Sequence, residues 1–280
     1  MVTFPNCKIN LGLNIIRRRE DGYHDLQTVF YPVEIFDALE IIKNDDRADE
    51  DILFSTTGIF ITDNSKDNLC IKAYKLLKRD FPQISAIKMH IHKTIPTGAG
   101  LGGGSADAAF TLLLLNKKFQ LNISHSKLIN YALQLGSDCP FFIINKPCYA
   151  QGKGEVLEEI DLNLSQYQLL VVNPKININT RWAFSKVEPE TPGISIRHII
   201  QQPIELWKEQ LINDFEKPLL KYYPILKSIK EELYKQGALY AGMSGSGSTF
   251  FGIFPKSKKI ETNIFPSEYF IRKMDGRSGV

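Results

Sequence analysis

Residues Pro96–Ala109, PTGAGLGGGSADAA, decide how this chain is read. Five of the seven residues from Gly98 to Gly104 are glycine, and Gly98, Gly100 and Gly103 spell G-x-G-x-x-G. A Walker-type loop needs a lysine followed by Ser or Thr after its glycines, and Gly104-Ser105-Ala106 supplies no lysine. A dinucleotide fingerprint needs an acidic residue roughly 20 positions on to hold a ribose. No Asp or Glu occurs from Ala108 to Ser137. A flexible linker does not usually separate an alternating strand from an apolar helix, and both flank this stretch. What fits is a backbone cradle. Glycines let main-chain N–H groups converge with no Cβ in the way, and the N-terminus of the next helix adds unpaired N–H groups and the positive end of its dipole. Such a site binds phosphate without a lysine. A structural turn without a ligand is the competing reading.

Working outward, AIKMHIHK before the glycines alternates as a strand. Ile87, Met89 and Ile91 point in; Lys88, His90 and His92 point out. Two histidines on one strand face could suit a metal, but the neighbouring Lys88 and Lys93 favour a solvated face. SADAAFTLLLLNKK after the glycines is apolar nearly all round and predicts a buried helix. SHSKLINYALQLG predicts another, with Ser124 as N-cap and Gly136 as stop. SDCPFFIIN then turns back toward a strand. Near the N-terminus, CKINLGLNII has period two, which places Lys8 and Asn10 on one face. Asp21-Gly22 signals a hairpin turn into further strand-like sequence. NSKDNLCIKAYKLLKRD is an amphipathic helix with Leu69, Ala73, Leu76 and Leu77 together.

In the second half, QYQLLVVNP reads as a strand ended by Pro174. PIELWKEQLINDF and PILKSIKEELYKQG read as helices, the latter from Pro224 to a stop at Gly237. ALYAGMSGSGSTFFGIF reads as strand, small-residue loop, strand, and EYFIRKM as a last strand. A soft boundary near residue 155 divides the chain into 1–155 and 156–280. The expected fold class is α+β with two domains.

The chain has 280 residues, 43% hydrophobic and 23% charged, ordinary for a soluble globular protein. A net charge of +3 is too small to argue for nucleic acid. Cys7, Cys70, Cys139 and Cys148 have no C-x-x-C spacing and read as free thiols in a reducing compartment. The N-terminus lacks a signal-like apolar region, and AAFTLLLL is too short to span a bilayer. The expectation is a cytoplasmic protein with no membrane partner and no metal-binding residues of its own.

Two further stretches carry candidate chemistry. GMSGSGSTFFG combines loop freedom at Gly245 and Gly247 with hydroxyls at Ser244, Ser246, Ser248 and Thr249; taken alone it reads first as a plain hairpin loop. Lys8 on a strand face and Asp138 in a turn are each ordinary. If they meet at an acceptor hydroxyl, the lysine favours the charged aspartate and a developing alkoxide. Tyr23 and His24, after the Asp-Gly turn, could recognise a flat polar group by stacking and hydrogen bonds, or simply close a turn.

Together these pieces resemble the GHMP kinases. PTGAGLGGGSADAA resembles their ATP loop and GMSGSGSTFFG their C-terminal glycine motif. CKINLGLNIIRRREDGYHDLQTVFYPV, with LGSDCPFF, AQGKGE, Asn173-Pro174 and NDFE (Asn213–Glu216), resembles one branch in particular. That branch phosphorylates the 2-hydroxyl of 4-diphosphocytidyl-2-C-methyl-D-erythritol in the non-mevalonate route to isoprenoid precursors. The resemblance covers essentially the whole chain. It implies a ribosomal-protein-S5-like N-terminal domain and a ferredoxin-like C-terminal domain. It implies ATP and Mg²⁺ as cofactors, a small-molecule substrate, no nucleic acid, and a monomer or homodimer. By the same resemblance, Asp138 is the base and Lys8 orients and acidifies the hydroxyl, with Asn10 near them. Pro96, Thr97, Gly98, Ala99, Gly100, Leu101, Gly102, Gly103, Gly104, Ser105 and Ala106 hold the ATP phosphates, and Asn68 touches the nucleotide. His24 hydrogen-bonds a cytosine sandwiched by Tyr23 and Phe184, although Arg181 and Trp182 beside Phe184 look unlike the usual neighbours. Cys139 stands where valine is common, and Ile260–Ser267 is short for the family's last helix. A mevalonate- or homoserine-type kinase, or a non-catalytic nucleotide sensor on the same fold, are the alternatives.

Overall fold

Strands of two kinds build the sheets of this chain, alternating ones such as Ile87–Lys93 and continuously buried ones such as Tyr167–Asn173 and Phe250–Pro255, and helices pack their apolar faces on them. The computed structural model describes residues 1–44, 51–59 and 67–276. The strands are β1 (Val2–Thr3), β2 (Asn6–Arg18), β3 (His24–Phe36), β4 (Ala38–Lys43), β5 (Ile52–Gly58), β6 (Ile87–Lys93), β7 (Cys148–Gln151), β8 (Val156–Glu159), β9 (Tyr167–Asn173), β10 (Tyr240–Met243), β11 (Phe250–Pro255) and β12 (Phe270–Asp275). The helices are α1 (Leu69–Asp80), α2 (Gly103–Lys118), α3 (His125–Leu135), α4 (Cys139–Ile144), α5 (Thr180–Phe184), α6 (Ile196–Ile199), α7 (Trp207–Gln210), α8 (Glu216–Tyr222) and α9 (Pro224–Lys235).

The chain forms two compact units, interleaved in sequence. The first comprises Met1–Cys7, Ile35–Thr97 and Gly102–Asn145; the second comprises Lys8–Glu34, Gly98–Leu101 and Lys146–Val280. The boundary expected near residue 155 falls within the second unit, just ahead of β8. The hairpin of β2 and β3 joins that unit because β3 pairs with β7, Thr28 opposite Ala150.

In the first unit, the sheet order is β1-β4-β6-β5, with β5 parallel to β6 and α1 in the crossover. Ile87, Met89 and Ile91 are buried as their alternation requires. On the other face, His90 meets Ser55 and Thr57 at 2.8 and 3.0 Å, and His92 meets Thr57 at 2.9 Å. Helix α2 packs against α1, α3, α4, β4 and β1. Neighbours on every side explain why its sequence is apolar nearly all round. Helix α3 keeps the expected cap: Ser124 Oγ accepts the Lys127 N–H, and Gly136 stands at its C-terminal end. One expectation fails. SDCPFFIIN is not strand-like but contains α4, with Pro140 in its first turn and Phe141, Phe142 and Ile143 buried. Proline is preset for that position, and a short apolar run is compatible with either a strand or a buried helix.

In the second unit, one sheet has the order β2-β3-β7-β8 and the other β10-β11-β9-β12, the latter all antiparallel. Leu13, Leu170, Val172 and Phe250 share a core cluster with Leu226, Ile229 and Leu233 of α9. The helix expected over PIELWKEQLINDF is cut short after a 3-10 turn at Ile204–Leu206 and the four residues of α7. Beyond it, the backbone of Ile212 and Asp214 bonds to Leu13 instead, so those groups cannot serve a helix. No helix forms between Ile260 and Ser267, where Ile260 and Phe265 nonetheless join the core. No described helix is long and apolar enough to cross a membrane.

Candidate active site

Strand β2 brings Lys8 and Asn10 into the second unit's interior rather than to solvent. Lys8 is 4% exposed. Its Nζ donates to Asn10 Oδ1 at 2.6 Å and lies 4.6 Å from the centre of the Phe30 ring. The Asn10 side chain donates to Thr28 Oγ1 at 3.0 Å, and Thr28 in turn donates to the Gly12 carbonyl at 2.5 Å. The Asn10 backbone N–H donates to Ser244 Oγ at 3.2 Å, and Ser244 donates to the Gly100 carbonyl at 2.7 Å. The Lys8 N–H also reaches the Leu101 carbonyl at 3.0 Å. A hydrogen-bonded chain therefore runs from the buried ammonium, through Asn10 and the second small-residue loop, to the glycine run. Gly100 must be glycine here: its φ is +78°, and a Cβ would lie 2.0 Å from the Ser244 carbonyl oxygen.

The residues NDFE anchor that second loop. Asn213 Nδ2 donates to the carbonyls of Met243 and Gly245 at 2.8 and 2.9 Å. Glu216 accepts the Met243 N–H at 2.7 Å and also pairs with Lys230. Asp214 accepts the Ile15 N–H at 2.7 Å, which ties β2 to the same segment. From the far end, Asn173 donates to Ser248 and Thr249.

The rest of the glycine run belongs to the first unit. Gly102 is the N-cap of α2, in the left-handed region, with no side chain to cap the helix. The first-turn N–H groups of Gly103, Gly104 and Ser105 have no intrahelical acceptor and sit at the positive end of the dipole. Thr97 and Gly104 are exposed, and Pro96, Gly103 and Ala106 are buried. Asn68 is the N-cap of α1: its Oδ1 accepts the Cys70 N–H at 2.9 Å, so the side-chain amide, not the oxygen, is what it can offer a ligand. Asp138 occupies the N-cap position of α4 without capping it by its carboxylate. Next to it, Cys139 is fully buried; burial pushes its thiol up to about 12, against a hydrogen bond from Ser105.

In the second unit, Tyr23 is 61% exposed with Lys153 Nζ 4.9 Å from its ring centre. His24 stacks on Phe184 with ring centres 4.8 Å apart, and Phe184 also meets the edge of Phe215. Tyr23, His24 and Phe184 thus share one unit, but one face of Phe184 is already covered by the imidazole. Burial, and then the charge of Arg18, hold His24 below the usual histidine range, which favours the neutral imidazole that can both donate and accept.

Sequence reasoning missed a buried ionic cluster in the first unit. Lys93 bridges Asp37 and Asp107, and all three are almost wholly buried. The signal was present: Asp107 is the one acidic residue in a helix whose middle is almost wholly apolar. Among the described residues, no group of three or more His, Cys, Asp or Glu side chains is placed to hold a metal ion.

The chain matches the family model described as GHMP kinases N terminal domain over residues 68–146, and that described as GHMP kinases C terminal over 199–263. It is 49% identical over 270 residues to a 4-diphosphocytidyl-2-C-methyl-D-erythritol kinase from Bacteroides fragilis, covering 96% of this chain and 97% of that one. The corresponding protein of Bacteroides thetaiotaomicron is 50% identical over 264 residues, covering 94% and 96%. A crystal structure of a 4-(cytidine 5'-diphospho)-2C-methyl-D-erythritol kinase superposes with a TM-score of 0.77 at 31% identity, covering 90% of each chain. The mevalonate kinase of Methanococcus jannaschii, at 14% identity and a TM-score of 0.72 over 99% of this chain and 98% of that one, shares the fold.

Proposed function

The chain belongs to the GHMP kinases, in the family of its 4-diphosphocytidyl-2-C-methyl-D-erythritol kinase relatives, and we propose that it transfers the γ-phosphoryl group of ATP to the 2-hydroxyl of that cytidyl substrate. The observation that carries this reading is the hydrogen-bonded chain from the Lys8 ammonium to the glycine run. A mere sensor of nucleotide has no need of a buried lysine so tied to its phosphate loop.

In this reading, backbone N–H groups from Gly98 to Ala106 cradle the ATP phosphates, and the dipole of α2 favours their charge. Asp138 takes the proton of the acceptor hydroxyl. Lys8, held by Asn10 and the face of Phe30, orients that hydroxyl and stabilises the alkoxide as it forms. Asn68 offers its amide to the nucleotide. Tyr23, His24 and Phe184 bind the cytosine: neutral His24 supplies hydrogen bonds, and an aromatic ring stacks the base. The glycine run offers N–H donors rather than oxygen ligands, so a Mg²⁺ would arrive on the nucleotide, held by phosphate and water oxygens, and when bound would neutralise phosphate charge.

An ADP-release assay over a panel of acceptors tests the assignment. Turnover is expected with the cytidyl alcohol. Turnover with mevalonate or homoserine, and none with the cytidyl substrate, would overturn it.

A further inference from the structure

Lys93, Asp37 and Asp107 take no part in the chemistry assigned to Lys8 and Asp138, yet they sit at both ends of the glycine run. Lys93 closes β6, Asp37 follows β3, and Asp107 lies one turn into α2. Lys93 Nζ donates to Asp37 Oδ2 and, at 2.6 Å, to Asp107 Oδ2. Asp37 Oδ1 accepts the N–H groups of Thr94 and Ile95 at 2.5 and 2.9 Å. Asp37 therefore holds the segment that leads into Pro96 and Thr97. Asp107 holds the helix that leaves the glycines. One ammonium joins the two.

The charges do not balance. Two ionised carboxylates against one ammonium leave a net negative charge in a site almost free of solvent. Asp107 is 3% exposed, and its Oδ1 finds no hydrogen-bond partner among the described residues. It lines a pocket of about 90 Å³ together with Asn68, Cys70, Lys93, Thr97 and Gly104. The other titratable groups around it are the Asp67 carboxylate and the Cys70 thiol at the start of α1, with the Cys139 thiol of α4 beyond Cys70. Lys93 is the cation that meets Asp107, while Lys72 of α1 pairs with Asp67 at 3.3 Å. Burial pushes Asp107 up to about 7; the charge of Lys93 opposes this and that of Asp37 adds to it.

We propose that Asp107 is a positioning residue whose ionisation sets how tightly the glycine run holds ATP. Protonated, it leaves a neutral cluster beside Thr97 and Gly104. Ionised, it adds a buried negative charge next to the phosphates and opposes the dipole of α2 from within. ATP binding and Asp107 protonation are then linked, each favouring the other. The inference rests on the reading of the glycine run as the ATP site.

The test is the dissociation constant of ATP, with Mg²⁺ in excess, measured on the full chain and on Asp107→Asn from pH 6 to 8.5. The dissociation constant of the wild type should rise over this range by about fivefold or more relative to that of the variant, whose neutral amide mimics the protonated acid. Titration of the ATP phosphates is common to both chains and cancels in the ratio. A ratio that stays constant with pH overturns the proposal, as does weaker binding by Asp107→Asn at every pH. If the variant does not fold, calorimetry of the wild type in two buffers of different ionisation enthalpy decides instead. Net proton uptake near pH 7.5 is expected, and no uptake overturns the proposal. A wild type that binds no ATP at any pH would bring down the ATP reading itself, an outcome distinct from tight binding without pH dependence.

Discussion

Lys8 is the residue whose position says most. A lysine on a strand face is usually solvated, and period two alone gave no reason to think otherwise. Burial on the Phe30 ring, with Asn10 as acceptor, removes that alternative. If Lys8 stabilises a developing charge as proposed, Lys8→Met should lower kcat by about 10²-fold or more. If Asp138 is the base, Asp138→Asn should lose a similar factor while ATP still binds. Near-normal turnover by either variant, in the same ADP-release assay, removes that residue from the chemistry. Phe184 allows a narrower test. If a base stacks on its ring, Phe184→Ala should raise KM for the cytidyl substrate by about tenfold, in the range of aromatic stacking on a base, and leave KM for ATP alone. Equal changes in both constants would point to a structural role, which its contact with Phe215 makes a real competitor. The roles proposed for Lys8, Asn10, Asp138, Tyr23 and His24 rest on resemblance in sequence. Their partners were not legible there, because Thr28, Ser244 and Asn10 lie far apart in the chain and meet only through strand pairing and loop placement.

At the scale of elements, the glycine run and the second loop are held by different means. The glycine run depends on conformations that only glycine adopts cheaply, as at Gly100 and Gly102. The second loop depends on side chains that reach it from elsewhere, above all Asn213. Asn213→Ala leaves the carbonyls of Met243 and Gly245 without that donor. Each lost buried partner costs about 1–3 kcal/mol, and for a chain of this size about 1 kcal/mol moves Tm by roughly 2–4 °C. A Tm lowered by about 5 °C or more is expected, together with a raised KM for ATP as the loop bonded to Gly100 loosens. A thermal melt unchanged from the wild type would show that the anchor is dispensable. The sequence pattern found α1 by its amphipathic face, α2 by its continuous apolarity, and α3 and α9 by signals at their ends, Ser124 and Gly136 for the one and Pro224 and Gly237 for the other. It misplaced α4 and overextended α7 for one physical reason. In both, tertiary partners rather than local propensity chose the backbone: packing of Phe141 and Phe142 in the first case, and bonds from residues 212–214 to Leu13 in the second.

For the whole molecule, a linear reading naturally looks for one boundary, and the chain instead threads between its two compact units several times. Nothing local in β2 or β3 announces that the hairpin will join strands more than a hundred residues away; only the pairing of β3 with β7 shows it. The buried cluster of Lys93, Asp37 and Asp107 escaped notice for the same reason, since its members lie on three separate segments. It should nevertheless be visible in a global property. A carboxyl group raised to about 7 in the folded chain and near 3.8 when unfolded takes up a proton on folding between these values. Folding is then favoured progressively as pH falls from about 7 toward 4, and the contribution is absent above that window, where the folded chain must hold the charge. Asp21, Asp25 and Asp80 run the other way, each lowered by its hydrogen bonds, but they act only below the ordinary aspartate range. Between about pH 4 and 7 these carboxylates are silent, while His24, lowered by burial, and Asp214, raised by burial, are common to both chains and cancel when the two are compared. Asp107→Asn should flatten the dependence of Tm on pH in that window and raise Tm relative to the wild type most at pH 8, where the native carboxylate is ionised and short of partners. Parallel curves for the two chains across the window would show that Asp107 stays ionised throughout, with Lys93 and the surrounding dipoles sufficient to hold it so.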